Sequence, residues 1–281
     1  MEHEDPLVTA EWLKENITAP DVRVVDATWF PPFLNMGKTG RQAWSEGHIP
    51  GSVYFDIDAI KAGGTDLPHM LPDPVMFSSR VRKLGIGDGN RIIVYDQFKF
   101  FASARVWWML RVMGQKDVKV LDGGLQAWID AGGELEDLPP VPVERHFTAR
   151  VRSDLVKDAN QVLAASEAGS HTIIDSRSPE RFSGDAPEPR EGLPSGHIPG
   201  SICQPSGELR TPDDRLKSAD ELRTLFADPM APTIATCGSG VSAAVTALAL
   251  ARLGNWDVAV YDGSWTEWAS DSSRPIAKGA A

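Results

Sequence analysis

The chain has 281 residues, with 28 Lys and Arg against 39 Asp and Glu, which gives a formal net charge of −11. Its 42% hydrophobic and 24% charged content is typical of a folded globular protein and excludes a disordered chain. The acidic balance argues against nucleic acid and anionic membrane surfaces as partners, because both require clustered Lys and Arg.

The N-terminal sequence and the cysteine count bear on the compartment. Residues 1–6 lack the basic and apolar regions of a signal peptide, and no apolar stretch reaches the roughly 18 residues of a membrane-spanning helix. We therefore expect a cytoplasmic protein that does not enter the membrane. Its two cysteines, Cys203 and Cys237, cannot form a disulfide framework, and a reducing compartment would keep both as thiols.

Short β-rich runs alternate with longer helical stretches along the chain. This alternation favours an α/β protein in which parallel strands are flanked by helices. In chain order, we predict strands at 22–25 and 91–95, a helix at 102–113, strands at 172–174 and 233–236, and a helix at 241–253.

The second half of the chain repeats features of the first. Gly47–Ser52, which reads Gly-His-Ile-Pro-Gly-Ser, recurs unchanged as Gly196–Ser201, 149 positions later. The apolar runs that end at Asp26 and Asp175 have the same offset. Because this period is far longer than that of a solenoid repeat, each copy is expected to be a domain of its own.

The predicted domains cover residues 1–136 and 154–281, joined by a linker at 137–153. Pro139, Pro140 and Pro142 make the linker extended and semi-rigid. In each repeated motif the glycines and the proline predict a turn before a strand, which the histidine anchors by hydrogen bonds.

The two repeated histidines, His48 and His197, have no second ligand at usable spacing, so we expect no metal there. The glycine-rich run at 85–89 precedes a strand instead of following one, which indicates a turn and not a phosphate-binding loop.

The two halves differ where chemistry is expected. Aligning the strands at 91–95 and 233–236 sets Asp96 opposite Cys237, 141 positions apart. After Cys237, a Gly-Ser-Gly-Val-Ser loop leads into a helix, and backbone N–H groups there would stabilise a thiolate, the nucleophilic form of cysteine. The alternative is a small buried residue at a strand end. Cys203 lacks such a loop and is expected to be structural.

One class of cysteine enzyme is excluded by the loop. Cysteine-dependent phosphatases with a similar loop need an arginine six positions after the cysteine, and this chain has Ala243 there. The loop contains no basic side chain, so a tetrahedral dianion is a poor substrate.

Together, the tandem repeat, the Gly-His-Ile-Pro-Gly-Ser turns, the Asp-Gly-Gly and Asp-Gly-Ser segments at 122–124 and 262–264, and the loop at 237–242 resemble two-domain sulfurtransferases of the rhodanese family. The resemblance covers nearly the whole chain. It implies two tandem rhodanese-like domains, each a parallel sheet flanked by helices, related by pseudo-twofold symmetry. It also implies that the C-terminal domain is catalytic and the N-terminal domain is silent.

The six-residue loop separates members of this family. Thiosulfate-preferring members resemble Cys-Arg-Lys-Gly-Val-Thr, whereas mercaptopyruvate-preferring members resemble Cys-Gly-Ser-Gly-Val-Thr. This chain matches the second pattern at five of six positions, with Ser242 in place of the last Thr. The resemblance therefore implies that 3-mercaptopyruvate is the donor and that the loop contributes substrate-binding residues, namely Gly238, Gly240, Val241 and Ser242.

The same resemblance implies that four further side chains belong to the site. Arg181 and Arg190 are similar to the family's substrate-binding arginines, and paired guanidinium hydrogen bonds suit the carboxylate of an α-keto acid. Asp58 and His69 lie in a stretch of the first half that is eight residues longer than its counterpart, and we expect this stretch to complete the site around Cys237. Read without the resemblance, these four are solvated surface residues.

The implied mechanism is nucleophilic. The Cys237 thiolate takes the sulfur of 3-mercaptopyruvate, leaving a persulfide and releasing pyruvate, while Asp58, His69 and Ser239 form a proton relay. The persulfide then passes its outer sulfur to a small thiol, to thioredoxin or to cyanide. We expect no metal or organic cofactor.

Three alternatives remain open from the sequence. The protein could be a thiosulfate:cyanide sulfurtransferase, against which the uncharged loop counts. It could be a relay module that receives persulfide from a protein, against which the arginine pair counts. It could also be a redox sensor, if Cys203 and Cys237 meet.

Overall fold

The computed structural model describes residues 5–280, which form two compact units. Within that range, the first unit contains residues up to 63, residues 71–152 and residues 211–216, and the second contains residues 64–70, 153–210 and 217 onward. Each unit thus takes most of its residues from one half of the chain and a short segment from the other half.

The first unit is built on a five-stranded sheet in which all paired strands are parallel. The strands follow the order β1-β5-β4-β2-β3 across the sheet. In chain order they are β1 (Leu7–Val8), β2 (Val22–Asp26), β3 (Val53–Tyr54), β4 (Arg91–Tyr95) and β5 (Val118–Leu121). The flanking helices are α1 (Ala10–Asn16), α2 (Gly40–Glu46), α3 (Pro74–Lys83), α4 (Phe101–Val112) and α5 (Gly124–Asp130).

The second unit repeats this architecture with a five-stranded parallel sheet. Its strands follow the order β6-β10-β9-β7-β8, which is the order of the first sheet with each number raised by five. In chain order they are β6 (Val156–Lys157), β7 (Thr172–Asp175), β8 (Ile202–Cys203), β9 (Thr233–Thr236) and β10 (Ala259–Tyr261). The helices are α6 (Ala159–Ala168), α7 (Pro179–Ser183), α8 (Ala219–Arg223), α9 (Ala243–Arg252) and α10 (Ser264–Ser270).

Local sequence explains where several helices begin. Asp73 precedes α3 and its carboxylate accepts hydrogen bonds from the N–H groups of Val75 and Met76, while Pro74 occupies the first helical position. Asp158 caps α6 in the same way, with a reciprocal hydrogen bond from its backbone N–H to the Gln161 side chain. Each cap of this kind contributes about 1 kcal/mol.

The middle strands of both sheets are buried, as their apolar sequences predict. Every side chain of β9 is buried, and in β4 only the first residue, Arg91, is partly exposed. Ile92, Ile93 and Val94 are 0% exposed, and burying such a side chain contributes roughly 1.5–3 kcal/mol. The cores therefore hold the carboxyl ends of these central strands in fixed positions.

The predicted alignment of the two halves is confirmed by the register of the sheets. The last residue of β2 pairs with Tyr95 at the end of β4, and the last residue of β7 pairs with Thr236 at the end of β9. The next residue along the chain is Asp96 in the first unit and Cys237 in the second. The carboxylate and the thiol thus occupy equivalent positions, at the edge of a parallel sheet where ligands commonly bind.

The boundaries of the predicted elements are close to those observed. The strands at 91–95 and 233–236 have the predicted limits. The helix after Cys237 begins at Ala243 and not at 241, because Gly240 has a φ of +75° and Ser242 is the residue before the first helical turn. Among residues 5–280, none of the helices combines the length and apolar character needed to cross a bilayer.

Candidate active site in the second unit

Cys237 lies between a buried strand and the start of a helix. It directly follows β9, is 1% exposed, and is separated from α9 by the five residues at 238–242. Gly240 has a φ of +75°, a conformation that favours glycine, and it turns the chain from the strand into the helix. The positive end of the α9 dipole therefore faces the loop, which favours an anionic sulfur.

The backbone of this loop retains unused hydrogen-bond donors. Within the described chain, the N–H groups of Gly238, Ser239, Val241 and Ser242 donate to no backbone carbonyl and to no carboxylate. Ser239 and Val241 are buried, and Gly238 and Ser242 are half-buried. Buried donors without a partner are costly, so an anion bound in this loop would be stabilised.

The start of α10 fixes the backbone of the loop. The N–H of Cys237 donates to Ser264 Oγ at 3.2 Å, and its carbonyl accepts from the Trp265 N–H at 2.9 Å. The carbonyl of Gly238 accepts from both the N–H and the hydroxyl of Thr266, at 3.0 and 2.6 Å. These contacts define the position of the nucleophile. Ser264 was not among the predicted site residues, although the repeat has Gly124 at the equivalent position of the first half and this difference marks it.

Two guanidinium groups lie against the residue that follows the cysteine. A Cβ atom built on Gly238 would be 3.1 Å from Arg181 Nη2 and 4.0 Å from Arg190 Nη1. The structure therefore brings Arg181, Arg190 and the Cys237 loop together. Glycine at 238 leaves room for both cations, which a side chain at this position would crowd.

A buried carboxylate holds one of the two arginines. Glu188, whose side chain is 3% exposed, accepts from Arg181 Nη2 at 2.5 Å and Nε at 3.2 Å, and from Arg177 Nη1 at 2.8 Å. Arg177 is anchored in turn by Asp175 and lies over the Trp265 ring at 4.4 Å. The sequence does not reveal these supporting residues, since nothing in the spacing shows which carboxylate meets which arginine.

Arg190 is the cation that remains available. It forms no ion pair with any described carboxylate, whereas Arg181 is paired with Glu188. Burial lowers the pKa of Arg190, and the negative charge of an ionised Cys237 opposes this effect. A cation without a carboxylate partner, beside a buried thiol, is suited to bind an anionic substrate.

The second cysteine has a different environment. Cys203 lies in β8, and its Sγ donates to the carbonyl of Arg177 at 3.8 Å. Burial raises the pKa of this thiol to about 11, so it stays protonated and weakly nucleophilic at neutral pH.

Asp58 and His69 belong to different compact units. Asp58 is in the first unit, is exposed, and its Oδ2 accepts from Trp29 Nε1 at 2.8 Å. His69 is in the second unit, the unit of Cys237, and is 4% exposed with a φ of +59°. The long stretch of the first half thus contributes its segment at 64–70 to the second unit.

In the first unit, the carboxylate of Asp96 binds backbone N–H groups of the equivalent loop. Its Oδ1 accepts from the N–H groups of Phe98 and Phe100 at 3.3 and 3.2 Å, and its Oδ2 accepts from the N–H of Ser103 at 2.8 Å. Despite these hydrogen bonds, burial raises the pKa of Asp96 to about 6. The Asp96 carboxylate thus occupies three backbone donors that follow β4, and this position has no thiol.

The repeated histidines anchor their turns, as predicted. His48 Nδ1 lies 2.8 Å from the carbonyl of Trp44, and His197 Nδ1 lies 2.9 Å from the carbonyl of Phe182. Each ring also stacks on the side chain of the same residue, with centroids 4.4 and 3.8 Å apart. No group of three or more metal-ligating side chains occurs among residues 5–280.

Comparisons with known proteins agree with this architecture and site. The family model for the rhodanese-like domain matches residues 9–131 and 158–271. The 3-mercaptopyruvate sulfurtransferase of Escherichia coli K12 is 40% identical over 276 residues, covering 96% of each chain. The thiosulfate sulfurtransferase of mouse is 39% identical over 273 residues, covering 93% of this chain and 91% of the relative.

A solved structure shows the same relationship. The crystal structure of SseA from Escherichia coli, described as a 3-mercaptopyruvate sulfotransferase with the rhodanese fold, superposes with a TM-score of 0.85 at 38% identity, covering 93% of this chain and 99% of that one. The family model matches two segments of this chain, the relatives are covered almost completely, and the fold is shared. The chain belongs to the rhodanese family and contains two rhodanese-like domains in tandem.

Proposed function

We propose that this protein is a 3-mercaptopyruvate sulfurtransferase that carries sulfur as a persulfide on Cys237. The observation that carries this conclusion is the pair of guanidinium groups against Gly238, in a loop with no basic side chain of its own. The positive charge at this site comes from Arg181 and Arg190, whose planar guanidinium groups can bind the carboxylate of an α-keto acid through paired hydrogen bonds.

Overall identity does not identify the sulfur donor. The bacterial relative named for 3-mercaptopyruvate and the mouse relative named for thiosulfate are 40% and 39% identical to this chain. The loop at 237–242 separates the two donors, because thiosulfate-preferring members resemble Cys-Arg-Lys-Gly-Val-Thr. The present loop places glycine where that pattern has its arginine.

Substrate binding would use the two arginines unequally. Arg190 would hold the carboxylate with charge-assisted hydrogen bonds, and Arg181, fixed by Glu188, would hold the keto oxygen. The backbone donors at 238–242 would hold the sulfur. Such positioning replaces a bimolecular encounter by reaction within one complex.

The transfer step is balanced without any oxidant. The Cys237 thiolate attacks the substrate's sulfur, the carbon–sulfur bond breaks, and its electron pair leaves on carbon as the enolate of pyruvate. One proton then converts the enolate to pyruvate, and the sulfur remains on Cys237 as a persulfide. The keto group makes this leaving group stable, which is why an α-keto acid suits the reaction.

Proton transfer is assigned to Asp58, His69 and Ser239. His69 would be positioned by Asp58 and would exchange a proton through Ser239, whose buried place in the loop supports this role. The assignment to the Cys237 unit of the segment that contains His69 supports its part in the relay.

The proposal also covers the sulfur acceptor and the compartment. The acceptor would be a small thiol, thioredoxin or cyanide, and the protein would act in the cytoplasm.

The silent domain would extend over 1–136 and the catalytic domain over 154–281, with the linker at 137–153. The Pro-rich linker sequence supports this division.

The test is steady-state turnover of the purified protein with 3-mercaptopyruvate and with thiosulfate, using cyanide as the common acceptor. We expect a higher kcat/KM for 3-mercaptopyruvate. A preference for thiosulfate would contradict the assignment of the donor, and inactivity with both would favour a protein-to-protein persulfide relay.

A further inference from the structure

The charged side chains beside the Cys237 loop form a linked series that begins at the end of β7. Arg177 donates from Nε to both carboxylate oxygens of Asp175, at 3.0 and 3.1 Å, and from Nη2 to Oδ2 at 2.6 Å. Both side chains are 1% exposed, so salt in the solvent screens this pair little. Asp175 alone therefore neutralises Arg177.

Glu188 supplies the second carboxylate of the series. Its Oε2 accepts from Arg181 Nη2 at 2.5 Å, and its Oε1 accepts from Arg181 Nε at 3.2 Å and from Arg177 Nη1 at 2.8 Å. The Glu188 side chain is 3% exposed. Because Arg177 is already paired with Asp175, the negative charge of Glu188 offsets the positive charge of Arg181.

The side-chain charges around the loop therefore sum to one positive charge. The two ion pairs are each neutral, and Arg190 pairs with no carboxylate of the described chain. The residues at 238–242 carry no charged side chain. Burial lowers the pKa of Arg190, the charges of an ionised Cys237 and of Glu188 oppose this effect, and the charge of Arg181 adds to it, so these groups act on one another.

One positive charge matches some sulfur donors better than others. At neutral pH, 3-mercaptopyruvate brings one negative charge, on its carboxylate, whereas thiosulfate brings two. Among the described residues around the loop, the second charge of a dianion would meet no uncompensated cation, and an ionised Cys237 would repel it. The backbone donors of the loop and the α9 dipole stabilise the thiolate itself.

We propose that Glu188 determines the charge of the donor: by neutralising Arg181 it leaves one uncompensated cation, which favours monoanionic donors over dianionic ones. This inference rests on the proposed function, because it takes Cys237 as the nucleophile and Arg190 as the group that binds the anion. Removal of the Glu188 charge would leave two uncompensated cations, which match a dianion.

The experiment compares two donors that share their chemistry and differ in charge. Methanethiosulfonate and thiosulfate both present a sulfur bound to a tetrahedral sulfonyl group, with one and two negative charges. In both, the Cys237 thiolate attacks the outer sulfur, the sulfur–sulfur bond breaks, and its electron pair leaves on methanesulfinate or on sulfite. Cyanide then takes the outer sulfur of the persulfide as thiocyanate.

The measured quantity is the ratio of kcat/KM for methanethiosulfonate to that for thiosulfate, at constant ionic strength. Turnover of 3-mercaptopyruvate is measured in parallel. Glu188→Gln removes the buried negative charge and keeps the size of the side chain. Arg181→Gln removes its cation, and the double variant removes both charges. Glu191→Gln is the control, because Glu191 is an exposed carboxylate three positions further along the chain.

We expect Glu188→Gln to lower this ratio about tenfold through a higher kcat/KM for thiosulfate, as one added charge at close range would do. Arg181→Gln should raise the ratio by a similar factor, because the side-chain charges then sum to zero. The double variant restores the sum to one, so its ratio should stay within about threefold of the unaltered protein, as should that of Glu191→Gln.

A ratio that follows the summed charge in this order supports the inference, since a merely structural role of Glu188 would slow both donors alike. An unchanged ratio in Glu188→Gln, or equal loss with both donors, overturns the inference and leaves the proposed function intact. If Glu188→Gln does not fold, Arg181→Gln decides, and a ratio that does not rise overturns the inference. Failure of the unaltered protein to turn over 3-mercaptopyruvate overturns the proposed function, whatever the ratio.

Discussion

The loops that follow β4 and β9 occupy equivalent places in two similar sheets, yet their backbone N–H groups differ in whether they already bind a carboxylate. In the first unit, Asp96 supplies a carboxylate that accepts from two loop N–H groups and from one N–H group in the first turn of α4. In the second, Cys237 supplies a thiol, and the neighbouring N–H groups at 238, 239, 241 and 242 find no carbonyl or carboxylate among the described residues. One fold thus holds either an internal anion or a reactive sulfur, according to one side chain and its loop.

The two units also differ in the segment that precedes the repeated histidine. In the first unit, α2 ends directly before Gly47, and a stretch without α-helix or strand lies earlier, at 27–39, with one 3₁₀ turn at Pro32–Leu34. In the second, α7 comes soon after β7, and such a stretch lies later, at 184–195. Only the second arrangement places Glu188 and Arg190 after the helix, where they meet Arg177, Arg181 and the cysteine loop.

The largest expected effect comes from exchanging the two key side chains. Cys237→Ser should reduce sulfurtransferase turnover by at least ~10³-fold, because it removes the nucleophile. Adding Asp96→Cys to this variant should not restore activity, since the first loop lacks the two arginines that we propose to bind the donor. Turnover and intact mass of both variants check the prediction.

Recovery of turnover or persulfide in the double variant would contradict this comparison. It would mean that a cysteine at the end of the central strand is sufficient for catalysis in this fold. The single variant Asp96→Cys serves as the control for folding and for activity of the intact second site.

A smaller effect is expected from Arg190→Gln, which removes the unpaired cation beside the cysteine. We expect kcat/KM for 3-mercaptopyruvate to fall about 10²-fold, because a carboxylate would lose two charge-assisted hydrogen bonds. Steady-state kinetics check this loss. Arg223→Gln is the matched control, since Arg223 is an exposed arginine of α8 in the same unit. An unchanged kcat/KM in Arg190→Gln would refute the binding role of Arg190.

Substitutions at Gly238 test whether the absence of charge in the loop at 237–242 affects the preference between the two sulfur donors. Gly238→Arg should lower kcat/KM for 3-mercaptopyruvate about tenfold and reduce the preference over thiosulfate, because its side chain crowds Arg181 and adds a cation. Gly238→Ala separates crowding from charge, since its Cβ lies 3.1 Å from Arg181 Nη2 but carries no charge. Identical kinetics for the two variants would show that the charge has no part in donor preference.

The smallest effect concerns stability. Burial raises the pKa of Asp96 from 3.8 to about 6 in the folded state. Between those values the folded chain binds a proton that the unfolded chain has lost, so the stability of the first unit falls as pH rises from about 4 to 6. Asp96→Asn should flatten this fall, which calorimetric melting temperatures across the same pH range measure. The same slope in both proteins would show that Asp96 does not titrate in this range.

The parts of the fold that the sequence predicted are those that depend on local pattern. Buried β-branched runs located the central strands, and the repeated motif located two equivalent turns that His48 and His197 anchor. The equivalence of Asp96 and Cys237 followed from strand alignment alone and is confirmed by sheet register.

The supporting contacts could not be predicted because they depend on tertiary packing. The equal spacing between Asp26 and Gly47 and between Asp175 and Gly196 concealed the different placement of the irregular stretches. The hydrogen bond from the Cys237 N–H to Ser264 joins residues 27 positions apart, and no periodicity signals it. Arg181 and Arg190 were found by family resemblance, but the carboxylate that holds Arg181 was not.

The most direct test of the central claim is the intact mass of the protein after one equivalent of 3-mercaptopyruvate without acceptor, followed by peptide mapping. We predict one added sulfur atom on the peptide that contains Cys237, with one pyruvate released per sulfur gained. Sulfur on the Cys203 peptide, or pyruvate release without any sulfur on the protein, would contradict it.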